Sequence, residues 1–307
     1  MKSDYFTFKG NENVEIYVYR WSPDGEIKGA VQIAHGMAET AKRYERFAEF
    51  LTSNGYVVYA NDHRGHGNTA KSLDKVGILG DKDGFDLLVQ DMHQLLNIIK
   101  KEKINKPVFL LGHSMGSFLS QKAIMGFGSE YNGVILSGSN GRQGLMLKFA
   151  KIIADREAKK YGREFRSKKL NDLSFGSYNN AFKPNRTEFD WLSRDEAEVD
   201  KYVKDPYCGG IFTAGFYQDF LTGLIQIENK TRLRSVPNQL PILLISGEKD
   251  PVGKAGKGVK ILYDTYKSLG VKDLTIKLYK DGRHEMLNEK NKDEVMNDIL
   301  AWLNEHN

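Results

Sequence analysis

Ser114 is the residue of this chain best placed to do chemistry. It lies in Gly112-His113-Ser114-Met115-Gly116, the Gly-x-Ser-x-Gly spacing of a nucleophile elbow. The spacing has a steric reason. A sharp strand-to-helix turn projects the hydroxyl, and strand and helix nearly touch two residues to either side, where only small side chains such as Gly112 and Gly116 fit. A serine hydroxyl is a poor nucleophile until a base takes its proton, so a histidine oriented by a carboxylate is required. Where such an elbow is used, the acid and then the base follow the serine along the chain. Among seven histidines, His284 and His306 come late enough. His306 is next to last, where chains fray, so His284 in Asp281-Gly282-Arg283-His284-Glu285 is the expected base. Asp250 in Gly247-Glu248-Lys249-Asp250-Pro251 is the expected acid, with Glu248 its near competitor. The plainer readings are a solvated loop histidine and an aspartate that only shapes a turn before proline. A tetrahedral oxyanion also needs two backbone donors. Met115, opening the helix after the serine, supplies one. The other is expected in Ala34-His35-Gly36-Met37-Ala38-Glu39, where Gly36 permits a tight turn and the amide of Met37 donates.

These residues need a sheet to carry them. Short apolar, β-branched runs alternate with segments of helical period, the pattern of a mostly parallel sheet with crossover helices. Residues 15–21 and 30–34 read as the opening strands, 40–53 as a helix, 56–60 as a buried strand and 85–101 as an amphipathic helix. Strand 107–111 runs into the elbow, 118–125 is helical and 134–137 returns to the sheet. From 141 to 237 the rhythm stops. It resumes with strand 242–246, a helix over 259–269, strand 274–279 and a closing helix over 292–304. The expected division is therefore an α/β core of residues 1–140 and 238–307, with residues 141–237 inserted as a mainly helical lid.

With 307 residues, 40% of them hydrophobic, the chain can bury one large core and carry such an insertion. A net charge of +5 is too small an excess to imply nucleic-acid binding. The single cysteine, Cys208, excludes an intramolecular disulfide and fits a reducing compartment. The N-terminal residues lack a signal-peptide pattern, and no run of about 18 apolar residues occurs. A cytoplasmic protein, monomer or homodimer, is the expectation.

Together the motifs resemble the monoacylglycerol lipase and lysophospholipase branch of the α/β-hydrolases, grouped with the serine aminopeptidase-like hydrolases, over nearly the whole chain. His35-Gly36-Met37-Ala38-Glu39 is similar to the family's His-Gly-x-x-Glu oxyanion loop. Asp62-His63-Arg64-Gly65-His66-Gly67 is similar to its Asp-x-Arg-Gly-x-Gly turn, and Gly112–Gly116 to its elbow. Asp250 and His284 fall where the family places acid and base, and residues 190–195 and 205–209 look like the lid of bacterial members. The resemblance implies an α/β-hydrolase fold with a lid over an apolar acyl tunnel. It implies hydrolysis of a single-chain lipid ester, a monoacylglycerol or lysophospholipid, with no metal or organic cofactor. His63 and His66 read as part of a structural turn beneath the oxyanion loop rather than as metal ligands.

Between Arg142 and Lys169 lie ten basic and three acidic residues. Leu145, Phe149, Ile152 and Ile153 share a face at helical spacing. The plainer expectation is a lid helix with its apolar side on the active site. The other is a basic amphipathic stretch in peripheral contact with anionic membrane. The aromatic group Phe175, Tyr178, Phe182, Phe189, Trp191, Phe212, Phe216, Tyr217 and Phe220 suits either a tunnel lining or the lid's own core. A short-chain carboxylesterase, a thioesterase and a proline-type aminopeptidase are the enzymatic rivals, the last lacking an obvious carboxylate cluster in the lid. A non-catalytic binding protein is the rival of another class. Ser114 excludes the elbow-aspartate chemistry of epoxide hydrolases.

Overall fold

A computed structural model describes residues 1–102 and 105–307. Its strands are β1 (Lys2–Lys9), β2 (Glu15–Ser22), β3 (Gly29–Ala34), β4 (Tyr56–Asn61), β5 (Val108–His113), β6 (Gly133–Ser137), β7 (Ile242–Gly247) and β8 (Leu274–Tyr279). They form one sheet in the order β1-β2-β4-β3-β5-β6-β7-β8. Strand β2 runs antiparallel to both its neighbours, and the pairs from β4 to β8 are parallel.

The helices are α1 (Glu45–Ser53), α2 (Gly67–Ala70), α3 (Gly84–Lys101), α4 (Met115–Phe127), α5 (Leu145–Tyr161), α6 (Lys168–Phe175), α7 (Glu196–Lys204), α8 (Ala214–Ile227), α9 (Lys230–Leu233), α10 (Lys257–Ser268) and α11 (Lys292–Glu305). Parallel strands are buried on both faces, so consecutive side chains enter different layers. Phe109 and Leu111 join Phe47, Leu51, Ile299 and Trp302 beneath α1 and α11. Leu110 joins Met92, Leu95, Leu119 and Tyr266 of α3, α4 and α10 on the opposite face. The whole arrangement is the α/β-hydrolase fold.

The chain leaves the sheet after β6 and returns at β7, and between them lie α5 to α9. The apolar face read for α5 does not turn inward: Leu145, Phe149 and Ile152 are 68%, 65% and 47% exposed. The buried face is Leu147, Ala154 and Ala158, where two alanines permit close packing on α8. This corrects the expectation of a lid helix with its apolar side on the active site. Of that stripe, Ile153 is the residue that packs against the core. The aromatic group divides. Phe212, Phe216 and Tyr217 are buried in the main core, whereas Phe175, Tyr178, Phe182 and Phe189 gather around Trp191 in a separate small cluster.

Candidate active site

Ser114 is placed by the junction of β5 and α4. Its backbone has φ 51° and ψ −117°, a conformation that costs a non-glycine residue energy and persists only when its surroundings impose it. Those surroundings are on both sides. The Ser114 amide donates to Ser137 O of β6 (2.9 Å), while Ser117 N–H and Phe118 N–H donate to Ser114 O (2.9 and 3.2 Å). A Cβ on Gly112 would lie 2.5 Å from Gly116 O, and one on Gly116 would lie 2.7 Å from His35 O. Both glycines thus stand where backbone meets backbone, and a larger residue at either place would force the strand and helix apart.

His284 follows β8 and is buried. Its Nδ1–H donates to Asp250 Oδ1 (2.9 Å); a carboxylate can only accept, which fixes the tautomer and leaves Nε2 as the basic nitrogen. Asp250, fully buried after β7, also accepts from Ser246 Oγ (2.9 Å) and from Val252 N–H (2.9 Å). Glu248 is exposed. Burial by itself would lower the His284 pKa, but the charge and hydrogen bond of Asp250 outweigh it and hold the pKa above the ordinary 6.5. The other late histidine, His306, caps the C-terminus by donating to Trp302 O (2.7 Å) and pairing with Asp273. Ser114 and His284 line one cavity of about 390 Å³. No hydrogen bond joins Ser114 Oγ to His284 among the described residues, and such bonds often tighten only around substrate.

The cavity also takes in Gly36, Met37 and Ala38. Among the described residues neither Met37 N–H nor Met115 N–H has a backbone acceptor, so both amides are free to serve an oxyanion. The loop is held from below. Glu39 Oε1 accepts from Gly36 N–H (2.5 Å) and from Tyr44 Oη–H (2.9 Å), and its Oε2 pairs with Arg43 (2.6 Å). Arg43 extends to both oxygens of Glu285 (2.6 and 2.7 Å). Burial raises the Glu285 pKa, yet the adjacent guanidinium more than offsets this and brings it down to about 2. Sequence reasoning missed Arg43, Tyr44 and Glu285. The available signal was that Arg43 falls one helical turn beyond Glu39 and that Glu285 adjoins His284.

His35 donates from Nδ1 to Gly36 O (2.7 Å) and accepts His63 N–H at Nε2 (2.9 Å). His66 donates to Arg64 O (2.8 Å). Asp62 accepts from Ala41 N–H and Asn68 N–H (both 2.8 Å). The turn after β4 therefore packs under the loop of residues 35–41 and fixes its height. Arg64, buried, is tied to Asp91 of α3. Among the described residues, no cluster of three or more His, Cys, Asp or Glu could hold a metal ion. The missed glycine is Gly138 (φ 59°), where a Cβ would stand 2.8 Å from His284 Cε1.

Three comparisons bear on this site. A family model described as "Serine aminopeptidase, S33" matches residues 25–291. The monoacylglycerol lipase of Mycolicibacterium smegmatis is 29% identical across 98% of this chain and 96% of its own length. The monoglyceride lipase of Rattus norvegicus is 30% identical across 94% of this chain and 85% of its own. A solved carboxyl esterase from Bacillus coagulans, in complex with glycerol, superposes with a TM-score of 0.91 at 26% identity, covering 99% of this chain and 98% of that one. A strained serine at a strand-to-helix turn, a cavity shared with a carboxylate-bound histidine, and similarity over the full chain agree: this chain belongs to the serine aminopeptidase S33 family of α/β-hydrolases.

Proposed function

We propose that this carboxylic ester hydrolase cleaves the acyl ester of a monoacylglycerol by two-step acyl transfer at Ser114. His284, oriented by Asp250, takes the Ser114 proton as Oγ attacks the ester carbonyl. The amides of Met37 and Met115 hold the oxyanion. His284 then protonates the leaving alcohol, and in the second half it activates water, which releases the fatty acid and frees Ser114. Residues 141–237 act as the lid.

The observation that carries the choice of substrate is the lining of the cavity over Ser114. Phe175, Phe189, Trp191 and Leu192 give one apolar wall, and Asn171, Asn179, Asn180 and Asn185 give neutral amides. The lining cation Lys168 is paired with Asp172 (2.6 Å). An apolar chain with a neutral, hydroxyl-bearing head group matches this chemistry, whereas a phosphate head group would find no unpaired cation in the lining. Glu188, also in the lining, is exposed to water, so it is a weak holder for a substrate amino terminus and the peptidase reading gains little.

Rates on 1-decanoylglycerol, decanoyl-lysophosphatidylcholine, p-nitrophenyl esters of increasing chain length and an aminoacyl p-nitroanilide test this reading. Preference for decanoylglycerol over the lysophospholipid is expected. Equal rates on all acyl esters down to acetate would replace it with a broad esterase, and turnover of the anilide with a peptidase.

The lid's outer face supports a second element. Leu145, Met146, Phe149 and Ile152 are exposed beside Lys148, Arg156, Lys159 and Lys160, which suits peripheral contact with an anionic bilayer. Among the described residues no helix is long and apolar enough to cross a membrane. Flotation with phosphatidylglycerol-containing vesicles that is lost in L145E/F149E supports the contact. Equal behaviour with neutral and anionic vesicles argues against it.

A further inference from the structure

A second cavity, of about 400 Å³, shares no lining residue with the cavity over Ser114. Its volume is that of a small-molecule site. It lies where the inserted segment leaves and rejoins the core, bounded by α4, the chain from Asn140 to Leu147, the end of α8 with α9, and α10. Phe118, Leu147, Leu224 and Leu262 give it an apolar floor, and all four are buried.

Its rim has a different character. Arg142, Lys230 and Arg234 stand around it, all exposed. Among the described residues none of the three has an ion-pair or side-chain hydrogen-bond partner, unlike Arg163, which pairs with Asp219 (2.7 Å). The carboxylate in the lining, Glu228, is already committed: it accepts from Gln143 N–H (2.5 Å) and Gly144 N–H (3.1 Å). That bond ties the outgoing chain to the returning one. Asn140 is buried in the same lining, its Oδ1 packed against Gly258 of α10 without a hydrogen-bond partner among the described residues. The cavity therefore combines an apolar interior with three cations that lack an ion-pair partner among the described residues against one carboxylate, a net positive rim.

We infer that this cavity binds a single-chain amphiphile with an anionic head, its alkyl chain on the Phe118–Leu262 floor and its head among Arg142, Lys230 and Arg234. The head is a carboxylate or a phosphate monoester, each of which accepts charge-assisted hydrogen bonds from guanidinium groups. A neutral monoacylglycerol would leave those cations unused, so the two cavities select differently charged lipids. Because the site straddles both crossings between core and insertion, an occupant bridges the two parts of the chain. The inference stands whether or not Ser114 acts on an ester.

Photo-crosslinking of the full chain tests it, with diazirine-bearing decanoate, decyl phosphate and decanol as probes below their aggregation concentrations and adducts mapped by peptide mass spectrometry. Adducts from one or both anions are expected on the peptides carrying Leu147, Leu224 and Leu262, exceeding those from decanol about tenfold. The carboxylate and phosphate arms show which head group is preferred. The double variant R142Q/R234Q, altered only at exposed positions, should lower these adducts about tenfold while leaving adducts in the Ser114 cavity unchanged. Adducts confined to the Ser114 cavity, decanol labelling equal to that of the anions, or labelling indifferent to R142Q/R234Q would each overturn the inference. A filling variant, L262W, should abolish the adducts whatever the head group. Their persistence would place the chain elsewhere and count against the site.

Discussion

Glu39 provides the sharpest test of how the oxyanion loop is held. Its buried carboxylate gathers Gly36 N–H, Tyr44 Oη–H and Arg43 within 2.9 Å, although it touches no reacting atom in the proposed mechanism. Glu39→Gln keeps an acceptor for Gly36 but sets an amide against Arg43, which retains both oxygens of Glu285. The loss is then of the order of one hydrogen bond to a charged group, about 1–3 kcal/mol, a fall in Tm of about 2–5 °C for a chain of this size. Glu39→Ala removes the anchor for Gly36 altogether and frees the Met37 amide to drift. Full removal of an oxyanion donor costs about 10²–10³ in kcat. A misplaced donor should therefore cost about 10–10² in Glu39→Ala and less than about tenfold in Glu39→Gln, with KM changed by no more than about threefold in either. The assay is steady-state kinetics on a p-nitrophenyl ester beside differential scanning fluorimetry. A folded Glu39→Ala enzyme with wild-type kcat would refute the argument, as would a loss confined to KM.

Three further predictions follow from the same geometry. His284 must be neutral to accept the Ser114 proton, and its pKa is held above 6.5 by Asp250, so kcat/KM should rise with pH through a limb above 6.5. Asp250→Asn should move that limb to lower pH and reduce kcat by about 10³–10⁴; a pH–rate profile whose limb stays in place would contradict the assignment. Burial depresses the His35 and His113 pKa values to about 4, that of His66 to about 3 and that of His63 well below 6.5. The unfolded chain therefore binds more protons below pH 6.5, and stability should decline from 6.5 to 4 by about 1.4 kcal/mol per unit for each histidine. Asp62, raised to about 6 by burial, contributes with the opposite sign below pH 6, whereas the raised pKa of His284 acts above 6.5, so the net fall in denaturant midpoint should correspond to fewer than four histidines; a flat profile would disprove it. Gly116→Ala would push a Cβ into the backbone of Ala34 and His35, costing about 1–3 kcal/mol or more and displacing the oxyanion loop. Unchanged Tm and activity would show that the elbow is not closely packed.

What the sequence disclosed follows from what each pattern must satisfy. Strands β3 to β7 are buried on both faces and, apart from Gln32 in β3, appear as apolar runs such as Val108-Phe109-Leu110-Leu111. Strand β1, an exposed edge in which only Phe6 and Phe8 are half-buried, has no such run and was not expected. Ser114, Asp250 and His284 could be put forward as candidates because strand-end position and chain order restrict them strongly; of the three, the structure brings Asp250 and His284 into contact. The i, i+4 spacing of Glu39 and Arg43 was visible in the sequence, but the link to Glu285 was not, because Glu39 and Glu285 lie 246 positions apart and meet only through the fold. The orientation of α5 was illegible for a different reason. The helix carries two faces able to pack, and only the small residues Ala154 and Ala158, seen against α8, decide which one is buried.

The most direct test of the central claim is reaction of the folded enzyme with a fluorophosphonate and mapping of the adduct by peptide mass spectrometry. Stoichiometric labelling on Ser114 is predicted, absent in Ser114→Ala and slowed at least about 10³-fold in a folded His284→Ala variant. No adduct in the folded wild-type protein, an adduct on another residue, or labelling indifferent to His284 would contradict it.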